Sequence, residues 1–286
     1  MRNLPLSRLA AGPIFIVGAA RSGTTWVYDI FNAHPKVAGV FESWLFTPKD
    51  GLGSLFTEAH WPPKFSGLGR LLRREELVRH AREFAETILG HAVGDEHRYL
   101  VEKSPSHLFH IPFIGEIFPA SRFIHVVRDG RDVAVSVLDA AASWVPIWKS
   151  SFGRSIASSA KAWGDAVRRA QRYGRELGPD RFLEIRYETL RNDPLSQFRE
   201  MFDFCGIPYD DALLKIIEDK TDFSKNYRGG AGKFRRGGRA GDWKTTFSRK
   251  DALVFQAVAG TLLIELGYEH SMDWVRTSPR KRGVAK

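Results

Sequence analysis

A glycine-bounded stretch near the amino terminus, GAARSGTTW (Gly18 to Trp26), carries the first residues of this 286-residue chain whose types and spacing point to chemistry. Its first six letters fit the pattern G-x-x-x-x-G-K-[ST], in which backbone amides and a helix N-terminus wrap a phosphate while the lysine reaches the outer phosphates of a nucleoside triphosphate. The lysine position holds Thr24. The loop therefore lacks the main contact to a triphosphate tail but keeps a cradle for a 5′-terminal phosphate: Ser22, Gly23, Thr24 and Thr25, with Arg21 as the adjacent cation. Arg128, directly after the apolar FIHVV, and Ser136, eight residues further on, make physical sense as a second phosphate clamp. A structural ion pair of Arg128 with Asp129 or Asp132 is the competing use of that arginine.

Such groups need strands to aim them. PIFIVG is a short, β-branched apolar run that enters the glycine loop, and TTWVYDIFNAH places Trp26, Ile30 and Phe31 on one helical face. The unit recurs: RYLVEKS (98–104) and SRFIHVVRD (121–129) read as strands, the latter followed by the helix GRDVAVSVLDAA. RFLEIRYETL (181–190) reads as a further strand, followed by the helix LSQFREMFDFCGI. Alternating strands and helices predict an α/β fold, a parallel sheet with helices on both faces and right-handed crossovers. Two segments look like additions over the carboxyl end of that sheet and are expected to shape an acceptor pocket: 47–97, which includes the amphipathic helix REELVRHAREFAETILG, and the Trp-rich 143–155. Residues 225–244 are rich in glycine and arginine and read as a mobile loop, and the tail 276–286 reads as basic and frayed. No internal repeat is present.

Lys and Arg number 43 against 33 Asp and Glu, a net charge of +10 that suits polyanionic partners. The single cysteine, Cys205, rules out an internal disulfide framework and a cysteine-built metal site; it reads as a small buried residue at a helix end in a reducing cytosol. No apolar run approaches the ~18 residues of a transmembrane span. The stretch MRNLPLSRLAAGPIFIVGAA reads as a short leader running into a buried strand, not as a signal peptide.

RSGTTW, VVRDGRDVAVS and GGRAGDWKTTF, in this order, resemble the sulfotransferase family that uses 3′-phosphoadenosine 5′-phosphosulfate (PAPS), with the matching motifs running from residue 14 to about 247. Arg21 stands where many members have lysine, a departure also familiar among bacterial members. The resemblance implies one P-loop NTPase-like α/β domain over residues 1–275, a central parallel sheet flanked by helices, and in-line transfer of a sulfuryl group from PAPS to an acceptor hydroxyl, leaving the bisphosphate PAP. It implies that Arg128 and Ser136 hold the 3′-phosphate and that Arg236, Gly237 and Gly238 close over it, Gly237 replacing the family's usual lysine. It further implies that Trp26 stacks on the adenine, with Tyr187, Thr221 and Phe223 as further nucleotide contacts. For Trp26, Tyr187 and Phe223 the competing reading is plain core packing.

In-line sulfuryl transfer needs cations on the leaving side and a base within reach of the acceptor hydroxyl. Arg21 and the loop amides suit the first task, and no metal is called for. For the second the candidates are His107 in EKSPSH and Glu42 in VFESW, with Lys103 assisting in the donor site and Glu102 ordering it. The family's cytosolic members carry the histidine in K-T-H, so the match of K-S-P-S-H is inexact, and other members use a glutamate. The acceptor is expected to be a small molecule, lipid or glycan bearing a hydroxyl, and the protein to be cytoplasmic. A P-loop kinase is disfavoured by Thr24, and a nucleic-acid-binding module leaves Arg128, Ser136 and RSGTTW unexplained.

Overall fold

The structure is a computed structural model that describes residues 6, 9–49, 51–57, 67–222, 225 and 239–277. Five strands, β1 (Ile14–Gly18), β2 (Val37–Phe41), β3 (Tyr99–Lys103), β4 (Arg122–Val127) and β5 (Phe182–Arg186), form one sheet in the order β2-β3-β1-β4-β5. Every neighbouring pair is parallel. Successive side chains of a strand point to opposite faces, and both faces of this sheet are covered. Phe15 and Val17 of β1 belong to one apolar cluster and Ile14 and Ile16 to another.

The second cluster is closed by α1 (Thr24–Asn32), α6 (Tyr187–Asn192), α7 (Pro194–Cys205) and α8 (Asp211–Thr221). The first is closed by α2 (Arg74–Gly90), α3 (Ile111–Ile117), α4 (Gly130–Ala142), α5 (Ile156–Leu177) and α10 (Arg249–Glu265), with the short helices α9 (Trp243–Thr246) and α11 (Trp274–Thr277) at its edge. α2 coincides with the helix read from the sequence and buries Leu77, Ala81, Ala85 and Leu89, one turn apart along one face. Cys205 ends α7, fully buried, and burial pushes its thiol up. No helix among the described residues is long and apolar enough to cross a membrane.

Two elements differ from the sequence reading. The strand expected over 181–190 stops at Arg186 and the chain turns into α6, because Arg186 pairs with Val127, the last residue of β4, and no ladder partner exists beyond it. β2, VAGVF, leads into Glu42, and its bounds could not be set from the sequence. A glycine interrupts its apolar run, and the reason lies in packing: a Cβ on Gly39 would sit 2.2 Å from Asn32 Oδ1 and 2.7 Å from the Tyr28 hydroxyl of α1.

Helices α4 and α5 meet as closely. Trp163 of α5 lies on Gly130, where a Cβ would fall 2.4 to 2.6 Å from the indole ring, and its Nε1 donates to the Arg128 carbonyl at 3.1 Å. Overpacking of this kind costs about 1–3 kcal/mol. Gly130→Ala is therefore expected to lower the urea midpoint of unfolding by a corresponding amount, and an unchanged midpoint would show that Trp163 can move aside.

Candidate active site

The crossover from β1 leads towards β2 and that from β4 towards β5, so the chain diverges at the carboxyl ends of these two adjacent strands. Crevices of this kind are where parallel α/β sheets bind ligands. A cleft of about 630 Å³ opens here, lined by the glycine loop, Arg128, Ser136, Tyr187, Glu42 and Trp44, among others.

The loop is shaped by two residues in the left-handed region, Arg21 at φ 71° and Gly23 at φ 106°. Gly23 also has no room for a side chain, since its Cβ would lie 2.5 Å from the Tyr187 ring. A Cβ on Gly18 would meet Ser22 Oγ at 2.6 Å and the Val126 carbonyl at 2.7 Å. The start of α1 has no capping side chain and no acidic residue in its first turn. Such an end favours an anion. Ser22 Oγ and Arg128 Nε are buried without a hydrogen-bond partner, a costly condition that an incoming phosphate oxygen would relieve. The loop thus fits a phosphate by shape, dipole and unsatisfied donors.

Arg128 is buried and ties three chain segments together. Its Nη2 donates to the Arg239 carbonyl at 3.1 Å, its Nη1 to the Arg21 carbonyl at 3.4 Å, and its guanidinium lies 4.5 Å from the Tyr187 ring centroid. Its carboxylate partner is Asp132, at 3.8 Å; Asp129 pairs instead with Arg131 at 2.8 Å. Ser136 accepts from Arg21 Nε at 3.0 Å, bringing the two expected phosphate contacts together before any ligand arrives. Asp132 accepts from the amides of Gly241 (2.7 Å) and Trp243 (2.9 Å) and so fastens the third motif to α4. Arg131 does the same from the other side: it pairs with Asp129 and Glu269, and its guanidinium lies 3.8 Å from the Trp243 ring and 4.7 Å from that of Trp274.

Trp26 is largely buried, stands edge-on to Tyr187 at 5.9 Å, and donates its indole N–H to the Thr221 carbonyl at 2.9 Å. It nevertheless walls both the main cleft and a neighbouring one of about 380 Å³. Thr221 lines only the second, and its hydroxyl is spent within its own helix on the Ile217 carbonyl. Phe223, Arg236, Gly237 and Gly238 lie outside the described residues, as does most of the tail 276–286.

Opposite the phosphate loop, the turn after β2 presents Glu42 to the cleft with its side chain 29% exposed. Glu42 and Trp44 both have positive φ, 49° and 57°. Unusual backbone like this persists only when its surroundings enforce it. Two adjacent residues at the end of β3 do so from opposite faces of the sheet. On one face, buried Glu102 accepts from the Ser43 amide (3.1 Å), the Ser43 hydroxyl (2.8 Å) and the Ser104 hydroxyl (2.6 Å). On the other, fully buried Lys103 reaches Glu42 Oε1 at 2.5 Å and lies 3.5 Å from the Phe41 ring centroid. Burial pulls the Lys103 ammonium below its ordinary value, with Glu42 opposing. Burial works to raise the Glu102 carboxyl, but the hydrogen bonds from His107, Ser104 and Ser43 oppose it and the group is held low.

The structure corrects three expectations. His107 is placed away from the cleft: it is fully buried, its Nδ1 sits 2.9 Å from Glu102 Oε2, its Nε2 accepts from the Phe46 amide at 3.4 Å, and it does not line the cleft. Lys103 is likewise absent from the cleft wall, and its ammonium is held on Glu42. Segment 143–155 does wall the cleft, through Trp144, Val145, Ile147, Trp148 and Phe152, whereas no described residue of 47–97 does; that side is built by Trp44 and the turn Pro105–His110. Ser43 and Arg131 had no reading from the sequence, and Asp132 had one only as an ion-pair partner of Arg128. The one available signal was a run of charges, RDGRD, directly after an apolar strand, where no solvated face is expected.

The Asp132 carboxyl is pushed up to about 6, chiefly by burial and also by Asp129, against Arg128 and the two amides. An acid raised in the folded state favours folding below its unfolded value of about 4 and loses that contribution as the pH rises through about 6. Asp132→Asn, which does not titrate, should gain stability relative to the unsubstituted protein as pH climbs through that window. Thermal unfolding of both across the window checks this, and parallel curves would contradict it.

A family model described as "Sulfotransferase family" matches residues 13–211. A protein-tyrosine sulfotransferase of Drosophila melanogaster is 28% identical over 218 residues, covering 74% of this chain and 40% of that protein. Of the first curated relatives it matches, the chain spans about half the length or less. Among solved structures, the sulfotransferase domain of the Synechococcus PCC 7002 olefin synthase aligns with TM-score 0.53 at 22% identity, covering 87% of this chain and 94% of that one. A mouse sulfotransferase complexed with PAP aligns with TM-score 0.56 at 16% identity, covering 96% and 92%. At these identities the two structures speak for the fold.

Proposed function

The chain belongs to the sulfotransferase family, and from that premise we propose that it transfers the sulfuryl group of PAPS to an acceptor hydroxyl, releasing PAP. The observation that carries the reading is the meeting, in one crevice, of a phosphate loop without the triphosphate lysine, the Arg128–Ser136 pair, and Glu42 on the facing wall. The donor supplies an activated sulfuryl group on a phosphate leaving group. Arg21 and the first-turn amides of α1 stabilise the negative charge that grows on that phosphate. An arginine keeps its proton at any working pH, so Arg21 acts by charge and hydrogen bonding, not as an acid.

Arg128 and Ser136 bind the 3′-phosphate, which distinguishes this donor from other adenine nucleotides. Glu42 accepts the proton of the attacking hydroxyl; Lys103 holds its carboxylate, and the Ser43–Glu102 hydrogen bond fixes the turn that carries it. Trp26 and Tyr187 form the wall along which the nucleoside lies. The acceptor is a small molecule, lipid or glycan with a free hydroxyl. A cytoplasmic site of action agrees with the buried free thiol of Cys205.

Calorimetric titration with PAP, 5′-AMP and ATP·Mg²⁺ tests the donor assignment. PAP is expected to bind at least about tenfold more tightly than 5′-AMP, the worth of a charge-assisted contact to the extra phosphate, and Arg128→Ala should erase the difference. Equal affinity for ATP·Mg²⁺ would return the kinase reading.

Replacing the base should act on turnover alone. Glu42→Gln is expected to lower kcat by about 10²–10⁴-fold while PAP affinity is kept. A kcat within a few fold of the unsubstituted enzyme would remove Glu42 from the chemistry.

A further inference from the structure

Beyond the phosphate loop the cleft continues between α4 and α5. Val133 and Val137, one turn apart on α4, line the same space as Ala162 and Ala166, one turn apart on α5. Val133, Val137 and Ala166 are each only 2% exposed, so they form an apolar floor to this part of the cleft. On α5 the small Ala162 and Ala166 flank Trp163 along it. At the mouth of the cleft stand Trp44, 49% exposed, and Ile147, 73% exposed.

The chemistry of this wall is one-sided. Among the described residues of the turn after β2, the turn Pro105–His110, the segment 143–155 and α5, Glu42 is the one charged side chain that lines the cleft. Ser106 and Ser159 line it too, and the Ser159 hydroxyl is committed to the Phe152 carbonyl at 2.7 Å. The rings of segment 143–155 pack on one another, Trp144 and Trp148 at 6.0 Å and 57°, and Trp148 and Phe152 at 4.9 Å and 45°. A polyol or a peptide held here would leave hydroxyls or amides without partners, a cost of 1 kcal/mol or more for each.

Resting on the sulfuryl-transfer reading above, we infer that the acceptor is an alcohol with an extended apolar body. Its hydroxyl lies at Glu42, and its body lies along the apolar floor of Val133, Val137, Ala162 and Ala166. The O–H proton passes to the Glu42 carboxylate as the oxygen forms its bond to sulfur and the S–O bond to the PAP phosphate breaks.

A series of straight-chain primary alcohols from butanol to decanol, assayed with PAPS beside an oligosaccharide and a tyrosyl peptide, tests the inference. Each added methylene should raise kcat/KM about fourfold, the equivalent of about 0.8 kcal/mol of buried CH₂, until the floor is covered. Ala166→Phe, which occupies the space over that floor, should flatten that slope while PAP still binds, which also shows that the variant is folded. A flat series, no turnover of any alcohol by a PAP-binding enzyme, or faster turnover of the sugar or peptide than of every alcohol would overturn the acceptor class and leave the donor reading standing. Failure to bind PAP would overturn both.

Discussion

Two neighbouring parallel strands whose crossovers leave in opposite directions cannot both be roofed at their carboxyl ends. The right-handedness of strand–helix–strand connections makes the resulting crevice unavoidable once the order β2-β3-β1-β4-β5 is adopted. The functional groups assembled here are answers to that opening. The glycine loop closes β1, RDGRD closes β4, and the ends of β2 and β3 supply the far wall. The register makes this possible: Gly18 pairs with Val126 and Phe41 with Lys103, so the strands finish nearly level and their following residues converge on one space.

Holding charged groups steady beside such a space requires other charges to be buried beneath it. Glu102, Lys103, Arg128, Arg131 and Asp132 are all withdrawn from water, and an unpaired ion there would be prohibitive. Each is compensated by a partner from a different segment of chain: Ser43 for Glu102, Glu42 for Lys103, the Arg21 and Arg239 carbonyls for Arg128, Glu269 for Arg131 and the Gly241 amide for Asp132. Removing one member of such a pair strands the other, so these groups act as rigid mounts more than as sources of net stability. His107 belongs with them. Its ring orders a carboxylate that orders a serine that orders the strained turn bearing Glu42.

The glycine loop, β1, β3, β4 and α2 were legible because apolar runs and turn residues are local signals, and because backbone amides need only a strand, a glycine and a helix to be presented. Arg128 and Ser136 were legible for the same reason, being spaced along one strand–helix unit. The far wall was not. Whether a histidine after a strand faces the cleft or the core depends on one turn of 3₁₀ helix, Pro105–His110, that packs His107 against Phe15 and Phe46. The roles of Lys103 and Glu102 depend on the pairing of β3 with β2, a strand whose bounds are blurred by the glycine that α1 requires. Long-range pairing leaves no period in the sequence, so the phosphate-loop side of the cleft could be read and the Glu42 side had to be seen.

The Arg131 and Asp132 anchors carry a consequence for how the protein is made. The phosphate loop leaves the ribosome early, yet Arg131 finds Glu269 only across 138 residues of chain, and Asp132 finds Gly241 across 109. Chains are synthesised at about 5–20 residues per second, so for many seconds the nascent protein holds a glycine loop whose partner segments do not yet exist. During that interval Arg131 and Asp132 lack their distant partners. The cleft is thus completed late, when the last helices dock, and a chain stalled short of Glu269 carries the motif without its anchors.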